Sequence, residues 1–556
     1  MTGKFNFADG IFLAAAALLF ALRIWVGRIM GVFIFAASPH DDVLMFQYAD
    51  LAAHFAKNLP ENFLLIKDMG FPVFLKIVEL SGVQYVDAIS FLWLIAAALT
   101  AGLFALVTDV KDRRILLAVF AFVLFSPVAF TGIGRRIYRQ GFLSPLYFLT
   151  LEMMAILFVC CWKKIKIPVK LLAVFSAIFG GVFTLTFYVK EDGAWLMMCL
   201  AATVLLCFVR NIFSVDDLRT KFLRAGAIIL PLIIFFAGTN FYKAVNEKFF
   251  GVYEINARTE GELGRFLKNV YRVESAERTG KIWAPAAALK KIFDASETLR
   301  GAENLRYRVF HTDWFGGDIF KNPVRGDFLG WVMTTELYNS GAVHTLAEQE
   351  KFLKKVNGEL DAAFENGTLQ KDSKFQLVSS MGGRSLKEIF DLRRLIGKIY
   401  LAHVTTRWYD LALEVPGQVH YPKNDAAAKE KYRAEIESIS AVINMNLLAE
   451  DTDFERRQIV ARVIFCIYML INSALFIAAL VALFKTFKFK ENRLEIFIMA
   501  AVFLLALIYA LAVSWFAEFI NYQAALFYSN GIVPMLTIFE IFGAHLFITN
   551  FKRIKG

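Results

Sequence analysis

Apolar residues fall along this chain in long runs, most close to the roughly 20 residues that a helix needs to cross about 30 Å of hydrocarbon. Ten such runs are predicted as membrane helices: Ile11 to Val26, Val86 to Val107, Ile115 to Phe130, Phe142 to Trp162, Leu171 to Tyr188, Ala194 to Val209, Ala225 to Phe241, Val460 to Phe484, Ile496 to Phe516 and Ala524 to Thr549. Several are short or carry a proline, so their ends are soft and one is open to a re-entrant path. The first run lacks a small-residue cleavage site and is followed by further spans, so it reads as a retained helix rather than a cleaved signal.

Between the seventh and eighth runs the pattern changes. From about Tyr242 to Arg457 apolar positions recur at helical spacing between charged ones, with glycines as stops. Ala284 to Arg300 ends at Gly301, Leu346 to Asn366 ends at Gly367, Leu386 to Leu413 is a further helical run, and Asp425 to Leu448 leads back toward the membrane. The expected fold is therefore an α-helical polytopic membrane protein with about ten spans and a largely helical hydrophilic insertion. Its parts are a membrane domain over residues 1–241, a soluble domain over 242–457 and a second membrane domain over 458–556.

Composition agrees with lipid as the main solvent. The 556 residues are 57% hydrophobic and include 57 phenylalanines, too much apolar surface for one soluble core to hide. Lysine and arginine then set the expected orientation, because short cytoplasmic loops retain them. With the amino terminus inside, Lys111, Arg113 and Arg114, then Lys163 to Lys170, then Arg210 to Arg224, then Lys485 to Arg493 all fall on the cytoplasmic side, as does the carboxyl terminus. The expected location is the inner membrane, with the insertion outside. The +11 formal charge sits largely in these inner loops, so it reports topology and contact with membrane lipids, and no nucleic-acid partner is expected. Cys160, Cys161, Cys199, Cys207 and Cys466 all lie in spans, which leaves the insertion without a disulfide framework.

Three outward-facing constellations are candidates for chemistry. Asp41 and Asp42 follow the first span and open an amphipathic stretch, Val43 to Lys57. They serve either as helix-capping acids, with Ser38 or Asp41 as the cap, or as a general base for an acceptor group. His40 beside them leaves a divalent metal open as a cofactor, although no second ligand cluster with metal-site spacing follows. The turn with Arg135, Arg136 and Arg139 breaks the expected charge rule by placing three arginines in a short outer loop. A guanidinium fork suits a phosphate, while pairing with Glu191 or Asp192 or snorkelling to headgroups is the plainer use. The turn with Lys190, Glu191 and Asp192 is either a polar anchor or a second charged station facing the first. Arg23 and Glu152 sit within spans, where an ionisable group costs roughly 2.5 to 3.5 kcal/mol, so both are expected to face protein or a wet cavity. In the insertion, Arg325 to Trp331 reads either as a packed turn or as a loop facing substrate.

A first span, an acid pair at the start of a surface helix in the first outer loop, charged outer turns and many further spans resemble the C-type membrane glycosyltransferases. That superfamily includes the protein mannosyltransferases and the aminoarabinose lipid A transferases. The resemblance covers the chain to about Tyr242 and lies in arrangement rather than in a long motif. It implies a polyprenyl-phosphate sugar as donor, with a glycan, lipid or protein acceptor, and a first-loop acid near that acceptor. The matching position is Asp41 or Asp42. Arg135, Arg136 and Arg139 are candidates for the donor phosphate by chemistry alone. Many relatives carry a soluble domain after the last span, whereas here it is inserted before the eighth. A lipid-linked glycan flippase, or a glycan polymerase or ligase, are the rival expectations.

Overall fold

The computed structural model describes residues 7–36, 41–51, 65–163, 165, 167–378, 380–406, 419–420, 426–447, 454–486 and 493–555. Among these, ten helical segments are long and apolar enough to cross a membrane: Asp9–Met30, Tyr85–Thr108, Arg113–Phe130, Arg139–Trp162, Val169–Phe187, Ala194–Ile212, Leu218–Phe250, Glu455–Lys485, Arg493–Ala517 and Ile532–Asn550. The protein is an α-helical polytopic membrane protein. Large apolar side chains such as Leu18, Leu171, Met198 and Leu470 are 60–72% exposed on these helices, which is stable against lipid and costly in water.

The fourth span is the centre of the bundle. It is buried along most of its length and packs against the second, fifth, sixth and tenth spans. Its Glu152 is fully buried and accepts a hydrogen bond from Thr100 of the second span, so the acid faces protein rather than lipid. Arg23 of the first span is likewise only 3% exposed.

Two spans depart from unbroken helices. The third is α-helical over Arg113–Leu124 and continues as a 3₁₀ turn over Pro127–Phe130, because proline lacks the amide that the next helical bond needs. The tenth apolar run is cut into Tyr522–Tyr528 and Ile532–Lys555. Asn530 lies in the break and donates to the Gln140 carbonyl at 3.2 Å and to Ser144 Oγ at 3.1 Å, tying it to the central span.

Short elements position the first loop. The surface helix Asp42–Leu51 realises the first part of the expected amphipathic stretch; residues 52–57, like Ser38 and His40, lie outside the described residues. Helix Gly70–Ser81 follows and packs against it. The only strands among the described residues are Ile34–Phe35 and Val419–His420, which pair in parallel.

The hydrophilic insertion has its own apolar core. Leu263, Phe266, Leu289, Phe293, Leu329, Met333 and Leu353 are fully or almost fully buried together, and Phe519, just after the ninth span, joins them. The seventh span runs on to Phe250, several residues past the expected boundary at 241. The helix expected over Ala284 to Arg300 breaks at Ser296, which caps Glu297–Gly301 by accepting from Leu299 N. Leu346–Glu365 matches its expected range, and Leu386–Asp391 is followed directly by Arg393–Thr405.

Candidate functional site

Asp41 and Asp42 are adjacent but occupy different environments. Asp42 begins the surface helix with its side chain fully buried. Its carboxylate accepts from Phe35 N at 3.0 Å and from Arg136, whose Nε lies 3.1 and 3.0 Å from the two oxygens and whose Nη2 also bonds Oδ1. Both groups of this pair are withdrawn from water, so losing either would strand the other. The Asp41 side chain, by contrast, is 28% exposed. Lys67 Nζ at 2.6 Å and the Tyr138 hydroxyl at 3.2 Å both donate to its Oδ2, leaving Oδ1 without a partner among the described residues. Burial pushes the Asp41 carboxyl up, but Lys67, Arg139 and Tyr138 together hold it below its usual range, so it is ionised.

The three arginines do not converge. Phe33, just after the first span, forms a parallel bridge with Arg136; Phe33 N donates to Arg135 O at 3.1 Å and Ile137 N to Phe33 O at 2.9 Å. Arg135 closes the short helix Gly132–Arg135 and the chain turns extended at Arg136, so the two side chains leave in different directions. Arg136 goes to Asp42, while Arg135 turns to the first span, where its Nε lies 3.4 Å from Gly31 O. Arg139, at the start of the fourth span, donates to Glu191 Oε2 at 2.6 Å and to the Tyr138 oxygen at 2.9 Å. A relay therefore links Glu191, Arg139, Tyr138, Asp41 and Lys67.

Lys67 and Asp68 were not expected in the site. They are held there by backbone contacts on both sides. Gly70 N donates to Tyr188 O at 2.7 Å, and a Cβ at Gly70 would stand 2.5 Å from that oxygen, so only glycine lets the chain approach the 188–193 turn. Ala257 N donates to Leu65 O at 2.6 Å, which draws the insertion against the same segment. Asn256 then donates to Asp68 Oδ1 at 3.0 Å, and Arg258 follows. Burial, with Arg139 nearby, pulls the Lys67 ammonium down to about 8, and burial, with Glu191 nearby, pushes the Asp68 carboxyl up to about 8. Glu191 is held well below its usual range: burial opposes its charge, but Arg139, Lys67 and Arg258 outweigh it.

The insertion completes the cluster. Arg258 bonds Asp327 Oδ2 at 2.9 Å and lies 3.8 Å from Glu191 Oε1. The Trp331 ring has Lys67 Nζ 4.6 Å and the Arg258 guanidinium 5.5 Å from its centre, a cation-bearing aromatic face. A Cβ at Gly330 would meet the Arg258 side chain at 3.0 Å, so the glycine leaves room for it. Asp327 and Trp331 thus bring the Arg325 to Trp331 segment into the cluster. Lys190 and Asp192 pair with each other, and Lys190 Nζ lies 4.7 Å from the Tyr528 ring centre, beside the cluster. Of the anticipated residues, Asp41, Arg139 and Glu191 come together directly, Asp42 and Arg136 form a sealed neighbouring pair, and Arg135 lies elsewhere.

Among the described residues no three histidine, cysteine or acidic side chains are grouped to hold a metal ion, and the carboxylates of Asp41 and Asp42 are engaged by cationic side chains. The cluster can offer an accessible carboxylate with several fixed positive charges around it, a setting that accepts a proton and steadies an anion in one place. No family model, no curated protein and no solved structure matches the chain.

Proposed function

We propose that this protein is a membrane glycosyltransferase that moves a sugar from a polyprenyl-phosphate donor to an envelope glycan, glycolipid or protein acceptor on the outer face of the inner membrane. The observation that carries the reading is the environment of Asp41. It is an ionised, partly exposed carboxylate at the start of a surface helix, one residue from a sealed acid, with Lys67, Arg139 and Arg258 nearby.

In this reading Asp41 takes the proton of the acceptor hydroxyl or amine as that atom attacks the anomeric carbon. The bond from that carbon to the phosphate oxygen breaks, and its electron pair leaves with the polyprenyl phosphate. Lys67, Arg139 and Arg258 steady the charge that develops on the leaving phosphate. Asp42 and Arg136 act by holding the loop, and Trp331 helps to hold the Lys67 and Arg258 cations in place. The basic loops support an orientation with both termini in the cytoplasm, in which this cluster lies outside.

Mass spectrometry of envelope lipids and glycans from cells with and without the protein tests the reading. A product lacking one sugar supports transfer. A complete lipid-linked precursor that accumulates would assign the protein to flipping or polymerisation instead.

A further inference from the structure

A second charged site stands apart from the Asp41 cluster, in a small, partly open recess between the first and second spans and the 127–135 turn. Arg23, Tyr85 and Arg135 line it, and among the described residues no acidic side chain does. Arg23 is 3% exposed and cannot snorkel; its Nε and Nη1 have no hydrogen-bond partner among the described residues, and its guanidinium instead lies 4.2 Å from the centre of the Phe130 ring. The Tyr85 hydroxyl, on a side chain 1% exposed, is also without a partner among them. Arg135 is 6% exposed and makes one long bond, from Nε to the Gly31 carbonyl. Burial and the like charge of Arg457 pull its guanidinium down to about 9, so the group stays charged at neutral pH but has no counterion among the described residues.

Two buried guanidinium groups and an unused phenol around one recess form a donor set that an anion with several acceptor oxygens would satisfy. A chloride ion has no directional acceptors, and a carboxylate offers two oxygens, whereas a phosphoryl group presents three or four to donors on different sides. We propose that this recess binds a phosphoryl group through Arg23, Arg135 and Tyr85. The phosphoryl group belongs to a bilayer phospholipid, to a lipid-linked carrier or to free phosphate. None of these three residues belongs to the Asp41 cluster, so the assignment stands or falls separately from the transferase reading.

Native mass spectrometry of the detergent-purified full chain tests it. The chain is titrated in parallel with inorganic phosphate, short-chain phosphatidate, farnesyl phosphate, and the neutral partners diacylglycerol and farnesol. At least one phosphorylated probe is expected to bind in preference to its neutral partner, with the adduct that persists in Arg139→Lys falling at least ten-fold when Arg23→Met or Arg135→Met is added and several-fold with Tyr85→Phe. Retention of phosphatidate identifies a bilayer headgroup, retention of farnesyl phosphate a carrier, and retention of inorganic phosphate alone a free anion. Arg139→Lys separates the two sites, because it leaves binding in this recess intact. Equal binding of phosphorylated and neutral probes would overturn the proposal. So would a number of phosphoryl adducts per chain that is unchanged in the Arg23 and Arg135 variants and falls only in Arg139→Lys. If the arginine variants do not yield folded protein, Tyr85→Phe decides, and unchanged affinity there would overturn it.

Discussion

Lys67 and Asp41 form a 2.6 Å ion pair in which the lysine side chain is 4% exposed and the aspartate side chain 28%. The cation is sealed behind the carboxylate, and the carboxylate faces out. An acceptor can thus reach the acid without displacing the charge that keeps it ionised. Asp42, one residue on, has the opposite character, and the two acids should fail in different ways.

Substituting Asp42→Asn leaves Arg136 as a buried charge without its counterion. Breaking a buried pair in this way typically costs about 3 to 5 kcal/mol. The expected result is a lowered unfolding midpoint and poor yield of monodisperse protein in detergent, measured by thermal unfolding. Arg136→Met combined with Asp42→Leu is expected to recover much of that loss. An Asp42→Asn protein as stable as wild type would show that the pair is not structural.

Arg139 holds Glu191 and Tyr138 with different nitrogens, a geometry that a lysine cannot reproduce from one ammonium. Arg139→Lys is therefore expected to raise the apparent donor constant by about ten-fold, the scale of one lost charge-assisted hydrogen bond. Arg136→Lys is expected to act on stability first. Steady-state kinetics beside thermal unfolding separates the two, and unchanged kinetics in Arg139→Lys would remove that residue from the donor site.

Two groups of the cluster change charge near pH 8. The folded Lys67 loses its proton at about 8 rather than 10.5, and the folded Asp68 at about 8 rather than 3.8. As pH rises through 8 the site loses one positive charge and gains one negative, so affinity for an anionic donor is expected to fall above that pH. Stability has a separate signature. Between about 4 and 8 the folded state holds a proton on Asp68 that the unfolded chain has released, so this group makes stability fall as pH rises. Between about 8 and 10.5 the unfolded chain holds a proton on Lys67 that the folded state has released, so stability rises again. Asp68→Asn is expected to flatten the lower limb in unfolding measurements across pH; an unaltered limb would contradict the assignment.

Sidedness rests on the basic loops, and the structure selects the positions at which to test it. Asn211 is buried and donates to Lys221 O at 2.8 Å, so a cysteine there would stay unlabelled on either side. Val215, in the next turn, is 92% exposed, and Asn366 is exposed at the end of its helix. In a protein without its native cysteines, an impermeant thiol reagent is expected to label a cysteine at 366 and to miss one at 215 in intact cells. The reverse pattern would invert the orientation.

The spans were readable in the sequence because an apolar run of the right length has few other uses in lipid. The break at Ser529 to Gly531 was not, because apolar residues continue on both sides and the cause, Asn530 bonding to the central span, is a tertiary contact. Three arginines in one turn suggested a single grip on phosphate. Their separation depends on a helix that ends at Arg135 and a bridge that ties Arg136 to Phe33, and composition carries no trace of either. Lys67, Asp68 and Arg258 were missed because each enters the site from a different segment. The signal available was a charged Lys67-Asp68 step set between apolar residues and Gly70, in a loop already suspected for its acids.

The central claim is that Asp41 is the proton acceptor in sugar transfer. It is tested most directly by restoring the protein to cells that lack it, as wild type or as Asp41→Asn at matched abundance, and weighing the envelope glycans and lipids by mass spectrometry. The account predicts that wild type restores a single missing sugar, and that Asp41→Asn folds and reaches the membrane but restores less than about one part in a hundred, the lower end of what a general base contributes. Full restoration by Asp41→Asn would contradict it.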